Sequence, residues 1–168
     1  MIANYFDRKK QYFVQYFQTP LGEMTAVAEE DALVFLRFGH QGIFNSINKS
    51  NEIIDKTILE VKEYFNGERK EFDIPLKIKA KDFQLKAVEE IKKIKYGETC
   101  TYGEIAVKLG AKTYARGVGA TCRGNSIVIL IPCHRIVMLN EKGYYNYSDG
   151  NERKKYLLDL EKKYKDKN

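Results

Sequence analysis

Cys133, His134 and Arg135 follow one another just after the most apolar run in the chain, Ile127-Val128-Ile129-Leu130-Ile131. A thiol is a strong nucleophile only as its thiolate, a form favoured by a nearby base or positive field. A cysteine closing a buried strand beside one of the chain's 2 histidines is placed for that chemistry. A free thiol in apolar surroundings is also an ordinary small core residue, so the tripeptide by itself leaves both readings open. Glu161 adds a second signal. In a C-terminal helix expected over 152–165, Leu157, Leu158, Leu160 and Tyr164 define the buried side, and Glu161 lies one turn after Leu157 on it. A carboxylate facing a core is costly unless it is paired or hydrogen-bonded. Either Glu161 reaches out to the rim, or it orients His134, which in turn polarises the Cys133 thiol in a nucleophile–base–orienter relay.

The elements that must position these residues divide near residue 80. The first part, 1–80, opens with the aromatic and β-branched run Tyr12 to Phe17, closed by Thr19-Pro20-Leu21-Gly22. Met24 to Ala28 and Leu33 to Phe38 follow, and the three together read as a small antiparallel meander. Ile54, Ile58, Val61 and Phe65 mark one face of a helix ended by Gly67. His40, beside a glycine, is expected to be structural or exposed. Residues 68–82 are charged and irregular and read as a linker.

The second part, 81–168, is mostly helical. Leu85, Val88, Ile91 and Ile94 form a helix face that stops near Tyr96-Gly97. Thr101-Tyr102-Gly103-Glu104 has the T-x-x-E capping-box form, so a helix should start at Tyr102, bury Ile105, Ala106 and Leu109, and end at Gly110. Thr113 is placed to cap the next helix, whose inner face is Ala115, Val118, Gly119 and Cys122, with Gly124 at its end. Two short helices around a Gly-Ala-Lys turn make a helix-turn-helix. The fold class is therefore α+β: a small N-terminal antiparallel sheet with a helix, then a helical domain containing the helix-turn-helix. Its second helix is built from small residues, although glycine costs about 1 kcal/mol against alanine inside a helix. Tight packing on a neighbouring helix and close approach to a DNA backbone both explain this. Arg116 should point outward from that surface.

Composition narrows the function classes. The chain has 168 residues, 43% hydrophobic, with Lys+Arg 29 against Asp+Glu 23 for a net charge of +6. That balance suits a polyanionic partner, and equally a lysine-rich solvated surface. The 3 cysteines show no CxxC spacing, which argues against a disulfide framework or a zinc site. No apolar leader or membrane-length run is present, so a cytoplasmic, reduced protein with no membrane association is expected.

Residues 83–161 resemble the O6-alkylguanine-DNA alkyltransferase family. The matching stretches are Phe83-Gln84, Gly97-Glu98-Thr99, Thr101 to Ala106, Ala115-Arg116-Gly117-Val118-Gly119, Arg123-Gly124-Asn125, Ile131 to Arg135, Asn146-Tyr147-Ser148, and Leu157-Leu158 with Glu161. The N-terminal part agrees only in length and in its sheet-plus-helix character.

The resemblance implies a DNA repair protein that takes the alkyl group of O6-alkylguanine irreversibly onto Cys133, once per molecule, with no cofactor and no metal. It implies that His134 takes up the thiol proton through a water, that Glu161 fixes the imidazole, and that Asn125 braces the turn presenting the cysteine. Tyr102 is implied to hydrogen-bond guanine N3 and to crowd the 3′ phosphate. Arg116 is implied to fill the gap left by a flipped base, with Arg123 also at the DNA. Tyr147 is implied to stack on the guanine, Ser148 to meet O6, and the carbonyls of Cys133 and Ile136 to read the exocyclic amine. The implied partner is double-stranded DNA, approached from the minor groove by a monomer. Asn125-Ser126 replaces the family's usual Asn-Pro, and Tyr145 and Asp149 replace glycines near the pocket tyrosine, which puts bulky adducts such as benzyl in question. A lesion-binding protein of the same fold without chemistry is the alternative, and an unrelated Cys-His-Glu hydrolase a more distant one.

Overall fold

A computed structural model describes residues 6, 7, 9–43, 46–138 and 147–167. The chain forms two compact units, Met1–Lys79 and Ala80–Asn168.

The first unit is a four-stranded sheet in the order β3-β2-β1-β4, with β1 Tyr12–Thr19, β2 Gly22–Ala28, β3 Leu33–Phe38 and β4 Ser46–Ile47. β1, β2 and β3 are the expected antiparallel meander. β4, which the sequence did not signal, adds in parallel to β1. The period-2 alternation loads both faces. Tyr12, Val14, Val27 and Phe35 cluster with Phe6 and Ile43 on one side. Phe17, Met24, Ala26, Leu36 and Phe38 are buried on the other. The helix α1, Glu52–Phe65, is capped by Asn51, which accepts from the Ile54 N–H, and packs across β1 and β2.

The stretch 68–82 is not a free linker. Leu33 N–H donates to Pro75 O at 2.8 Å and Lys77 N–H to Leu33 O at 2.9 Å, so residues 75–77 dock on the start of β3. The buried Glu60 carboxylate holds the same segment by accepting the Asp73 N–H at 3.0 Å. Charge and irregular patterning made this stretch read as a linker.

The second unit contains α2 Asp82–Lys92, β5 Cys100–Thr101, α3 Tyr102–Lys108, α4 Ala115–Arg123, β6 Ile136–Val137 and α5 Asn151–Tyr164. The capping box at the head of α3 is present in both directions: Thr101 Oγ1 accepts the Glu104 N–H, and the Glu104 carboxylate accepts the Thr101 N–H. Thr113 caps nothing. A 3₁₀ turn, Lys112–Tyr114, runs straight into α4, whose cap position is Tyr114. Leu85 is also not a core residue, being 38% exposed; α2 buries Ala87, Val88 and Ile91 instead.

The small residues of α4 have two different causes. A Cβ on Gly117 would stand 2.7 Å from Phe83 Cε1, so this glycine admits an aromatic ring of α2. A Cβ on Gly119 would meet only ordinary contacts, Arg123 Nη1 at 3.7 Å and Tyr102 Cε1 at 3.9 Å. Internal packing therefore accounts for Gly117 and leaves Gly119 unforced. Gly117→Ala should lose stability by about 1–3 kcal/mol through overpacking. Gly119→Ala should be neutral or gain up to about 1 kcal/mol from helix propensity. Urea denaturation of the two variants measures both signs, and equal losses would contradict the assignment.

Candidate active site

The site is assembled around one buried carboxylate. Glu161, on the inner face of α5, is fully buried and accepts hydrogen bonds from His134, Arg135 and the Gly97 backbone. His134 meets Oε1 at 2.7 Å, Arg135 reaches Oε2 with Nε at 2.9 Å and Oε1 with Nη2 at 3.0 Å, and the Gly97 N–H reaches Oε2 at 3.0 Å. Arg135 uses its remaining arm on Ile94 O at 2.6 Å. A bidentate guanidinium with a backbone amide is the arrangement that makes a buried carboxylate tolerable. Of the two readings of Glu161, the inward one is observed.

Electrostatics then assigns protons. Burial favours the neutral acid at Glu161, but His134 and Arg135 together outweigh it and hold the carboxyl down at about 2. Burial likewise holds the His134 imidazole below its ordinary value, against the pull of Glu161. Because Arg135 supplies the permanent positive charge, the carboxylate stays ionised while the imidazole is neutral. His134 Nε2–H therefore donates to Glu161, and Nδ1 is left as the basic nitrogen. Nδ1 is buried and meets no hydrogen-bonding group among the described residues.

Cys133 is 3% exposed and heads a short 3₁₀ turn, Cys133–Arg135. The apolar run before it is not a strand but a buried turn, with Ile131 N–H donating to Ile127 O at 3.1 Å and Ile129 at φ 74°. A β-branched residue there is under strain. Asn125 explains how the turn is held. Its Oδ1 accepts the Ile127 N–H at 3.0 Å, while Nδ2 donates to Ile131 O at 3.0 Å and to Cys133 Sγ at 2.9 Å. One side chain thus closes the turn and aims the sulfur. Burial pushes the Cys133 thiol up to about 11, against the lowering effect of the Asn125 bond. The resting group is therefore the thiol, not the thiolate.

β5 and β6 link this segment to the helix-turn-helix. Cys100 pairs with Ile136 and Thr101 with Val137, so the strand leaving the nucleophile lies beside the one entering α3. Tyr102 is the first residue of α3. Burial, with the Cys122 and Cys133 sulfurs as further influences, pushes its phenol up to about 12, so it is a proton donor at neutral pH.

Residues 82–163 match the family described as "6-O-methylguanine DNA methyltransferase, DNA binding domain", and residues 12–78 match its "ribonuclease-like domain". A methylated-DNA–protein-cysteine methyltransferase of Metallosphaera sedula is 36% identical over 146 residues, covering 86% of this chain and 90% of the relative. One from Methanosarcina acetivorans is 35% identical, covering 86% and 95%. The crystal structure of the Mycobacterium tuberculosis O6-methylguanine methyltransferase superposes with a TM-score of 0.80 at 32% identity, over 90% of this chain and 93% of that one. The M. tuberculosis OGT in complex with DNA gives 0.79 at 31% identity, over 92% and 94%.

This chain belongs to the 6-O-methylguanine DNA methyltransferase family.

Among the residues singled out in the sequence, Asn125 and Cys133 touch directly, as do His134 and Glu161. Tyr147 and Ile136 are buried. The Cys133 carbonyl accepts the Ile136 N–H, and the Ile136 carbonyl accepts Lys154 Nζ at 2.6 Å, which leaves each a second lone pair. Ser148, Arg116 and Arg123 are exposed. Arg123 borders Gly119 alongside Tyr102. Tyr145 and Asn146 lie outside the described residues. Among the described residues no group of three His, Cys, Asp or Glu side chains is arranged to hold a metal ion.

Two participants were missed. Arg135 neutralises Glu161, and Lys154, 1% exposed, ties α5 to the strand after the nucleophile. Lys154 stands three residues before Leu157 and seven before Glu161, a helical spacing that placed it on the buried stripe.

The proton assignment has a stability consequence. The unfolded chain protonates His134 near pH 6.5 and Glu161 near 4.3, whereas both folded values are lower. The unfolded state therefore binds more protons, and stability falls as pH drops below about 6.5 and again below about 4.3. Glu161→Gln should cost about 3–5 kcal/mol at pH 7 by stranding Arg135, and should flatten the lower-pH loss. Denaturant titrations from pH 8 to 3 test this; a variant with unchanged acid sensitivity would contradict it.

Proposed function

We propose that the protein repairs O6-alkylguanine in DNA by moving the alkyl group onto Cys133. Supporting this are the family membership and the named activity of relatives covering most of the chain. The observation that carries it is a buried thiol aimed by Asn125 beside a neutral imidazole held by Glu161.

The chemistry is a single displacement. Cys133 sulfur bonds to the alkyl carbon as the O6–carbon bond breaks. The thiol proton passes to His134 Nδ1 through a water. The departing guanine collects a proton at N3 from the Tyr102 phenol, which a raised pKa keeps protonated until that moment. The thioether is stable and nothing in the reaction regenerates the thiol, so each molecule acts once. No cofactor takes part.

A thiol this buried cannot reach a base inside the duplex, so the nucleotide must leave the stack, at a cost of a few kcal/mol. Arg116, exposed on α4, replaces it there. Tyr147 and Ser148 receive the guanine. The smooth Gly119 face, flanked by Arg123, approaches the minor groove, and phosphate contacts make binding salt-sensitive and nearly sequence-independent. A monomer in the cytoplasm suffices for all of these steps.

Mixing the protein with a duplex containing one O6-methylguanine should add the mass of one CH2 unit to the Cys133 peptide, one equivalent per chain, and undamaged DNA should add nothing. Arg116→Ala should slow duplex repair about tenfold or more while hardly changing reaction with a free-base substrate. DNA binding with unchanged protein mass would favour a lesion binder, and equal losses on both substrates would remove Arg116 from base flipping.

A further inference from the structure

The ion pair at the centre of the site is gripped from one short turn. After α2, the Glu98 N–H donates to Lys95 O at 3.0 Å, closing a turn whose middle residues are Tyr96 and Gly97. Gly97 takes a left-handed φ of 72°, which the third position of such a turn reserves for glycine. Its N–H donates to Glu161 Oε2 at 3.0 Å. Ile94, just ahead of the turn, accepts Arg135 Nη1 on its carbonyl at 2.6 Å. Between these two contacts stands the Tyr96 ring, 9% exposed, with the guanidinium carbon of Arg135 over it, 5.7 Å from the ring centre. That distance lies within cation–π reach, and the attraction grows where water is excluded. Burial, and then Glu161, push the Tyr96 phenol up to about 12, so the ring carries no charge at neutral pH.

We propose that Tyr96 is a positioning residue, whose ring holds the Arg135 guanidinium on the Glu161 carboxylate and thereby keeps His134 a neutral base. This rests on the alkyl-transfer reading above for its effect on rate, but the protonation of His134 is measured without DNA. Two groups compete for one carboxylate oxygen: Glu161 Oε1 meets His134 Nε2 at 2.7 Å and Arg135 Nη2 at 3.0 Å. With the guanidinium seated, the carboxylate is balanced and a second cation beside it is repelled. With the guanidinium displaced, the carboxylate draws the balancing proton onto His134 instead. The Tyr96 ring attracts the partner that is always charged, so it biases the competition towards Arg135. The groups facing this pair come from three segments. Glu161 and Lys154 lie on α5, with Lys154 engaged by Ile136 O; Cys133 and Arg135 flank His134 in its own turn; Tyr96, itself influenced by Tyr164, comes from the turn after α2.

Nitrogen-15 NMR titrates His134 in the free protein, and the acid limb of single-turnover methyl transfer is measured alongside. His40, the chain's other histidine, is exposed in the first unit, and His40→Gln removes its signal. Tyr96→Phe keeps the ring face and should leave both midpoints where they are. Tyr96→Leu should raise the His134 midpoint by about one pH unit, a roughly tenfold gain in proton affinity, and carry the acid limb with it. Trifluorophenylalanine in place of Tyr96 keeps the ring's size but weakens its negative face, and should shift the midpoint about half as far. A shift in the leucine variant without one in the fluorinated variant overturns the proposal, because it means lost packing or water entry. No shift in either also overturns it, as does an equal shift in Tyr96→Phe, which would assign the effect to the hydroxyl. If Tyr96→Leu does not fold, the fluorinated variant decides alone. A wild type that transfers no methyl group, or an acid limb that stays put while the His134 midpoint moves, counts against the proposed function and not against Tyr96.

Discussion

A carboxylate with no exposure to water is stable only if its surroundings are committed to it, and Glu161 commits three separate pieces of chain. Through His134 and Arg135 it fixes the turn carrying the nucleophile; through Gly97 it fixes the end of the segment after α2; and α5 carries the carboxylate itself. Removing Arg135 leaves an uncompensated charge in a low-dielectric interior, where pairing is worth far more than at a surface. The same contacts decide chemistry. With Arg135 as the counterion, the imidazole is free to be neutral, and a neutral imidazole is the form that accepts a proton.

The nucleophile depends on a second constraint, the turn 127–131. Asn125 binds both ends of it and the sulfur besides, so the direction of the thiol is set by a residue eight positions away. Ile129 tolerates a positive φ because the run is buried and closed around it. The strand pair β5–β6 then transmits this position to the helix-turn-helix, placing Tyr102 at the head of a helix whose cap is specified by its own sequence. Cys133, Tyr102 and the exposed face of α4 are thereby parts of one framework inside the second unit.

Much of this was legible in the residues. The meander and the capping box are local patterns with local causes, and each appears where its spacing put it, whereas α4 buries Val118 and Cys122 as expected but Thr121 in place of Ala115 and Gly119. Glu161 was legible for an energetic reason, since a charge on a buried stripe requires a partner. The failures were non-local. Five consecutive apolar residues specify burial but not strand or turn, and only the Asn125 bonds distinguish the two. Residues 68–82 read as a linker because their charges and lack of pattern gave no sign of the backbone bonds to β3 or the anchoring Glu60. Lys154 escaped notice because lysine is expected at the surface, although its helical spacing placed it inside.

Glu161 and Arg135 hold His134 neutral with its proton on Nε2, leaving Nδ1 bare. Nitrogen-15 NMR of histidine-labelled protein at pH 7 addresses it directly, because protonated and bare ring nitrogens resonate far apart. The ring is predicted to have Nε2 protonated and Nδ1 bare, and to take up its second proton at a lower pH than an ordinary histidine. An imidazolium at pH 7, or a ring with the proton on Nδ1, would contradict it.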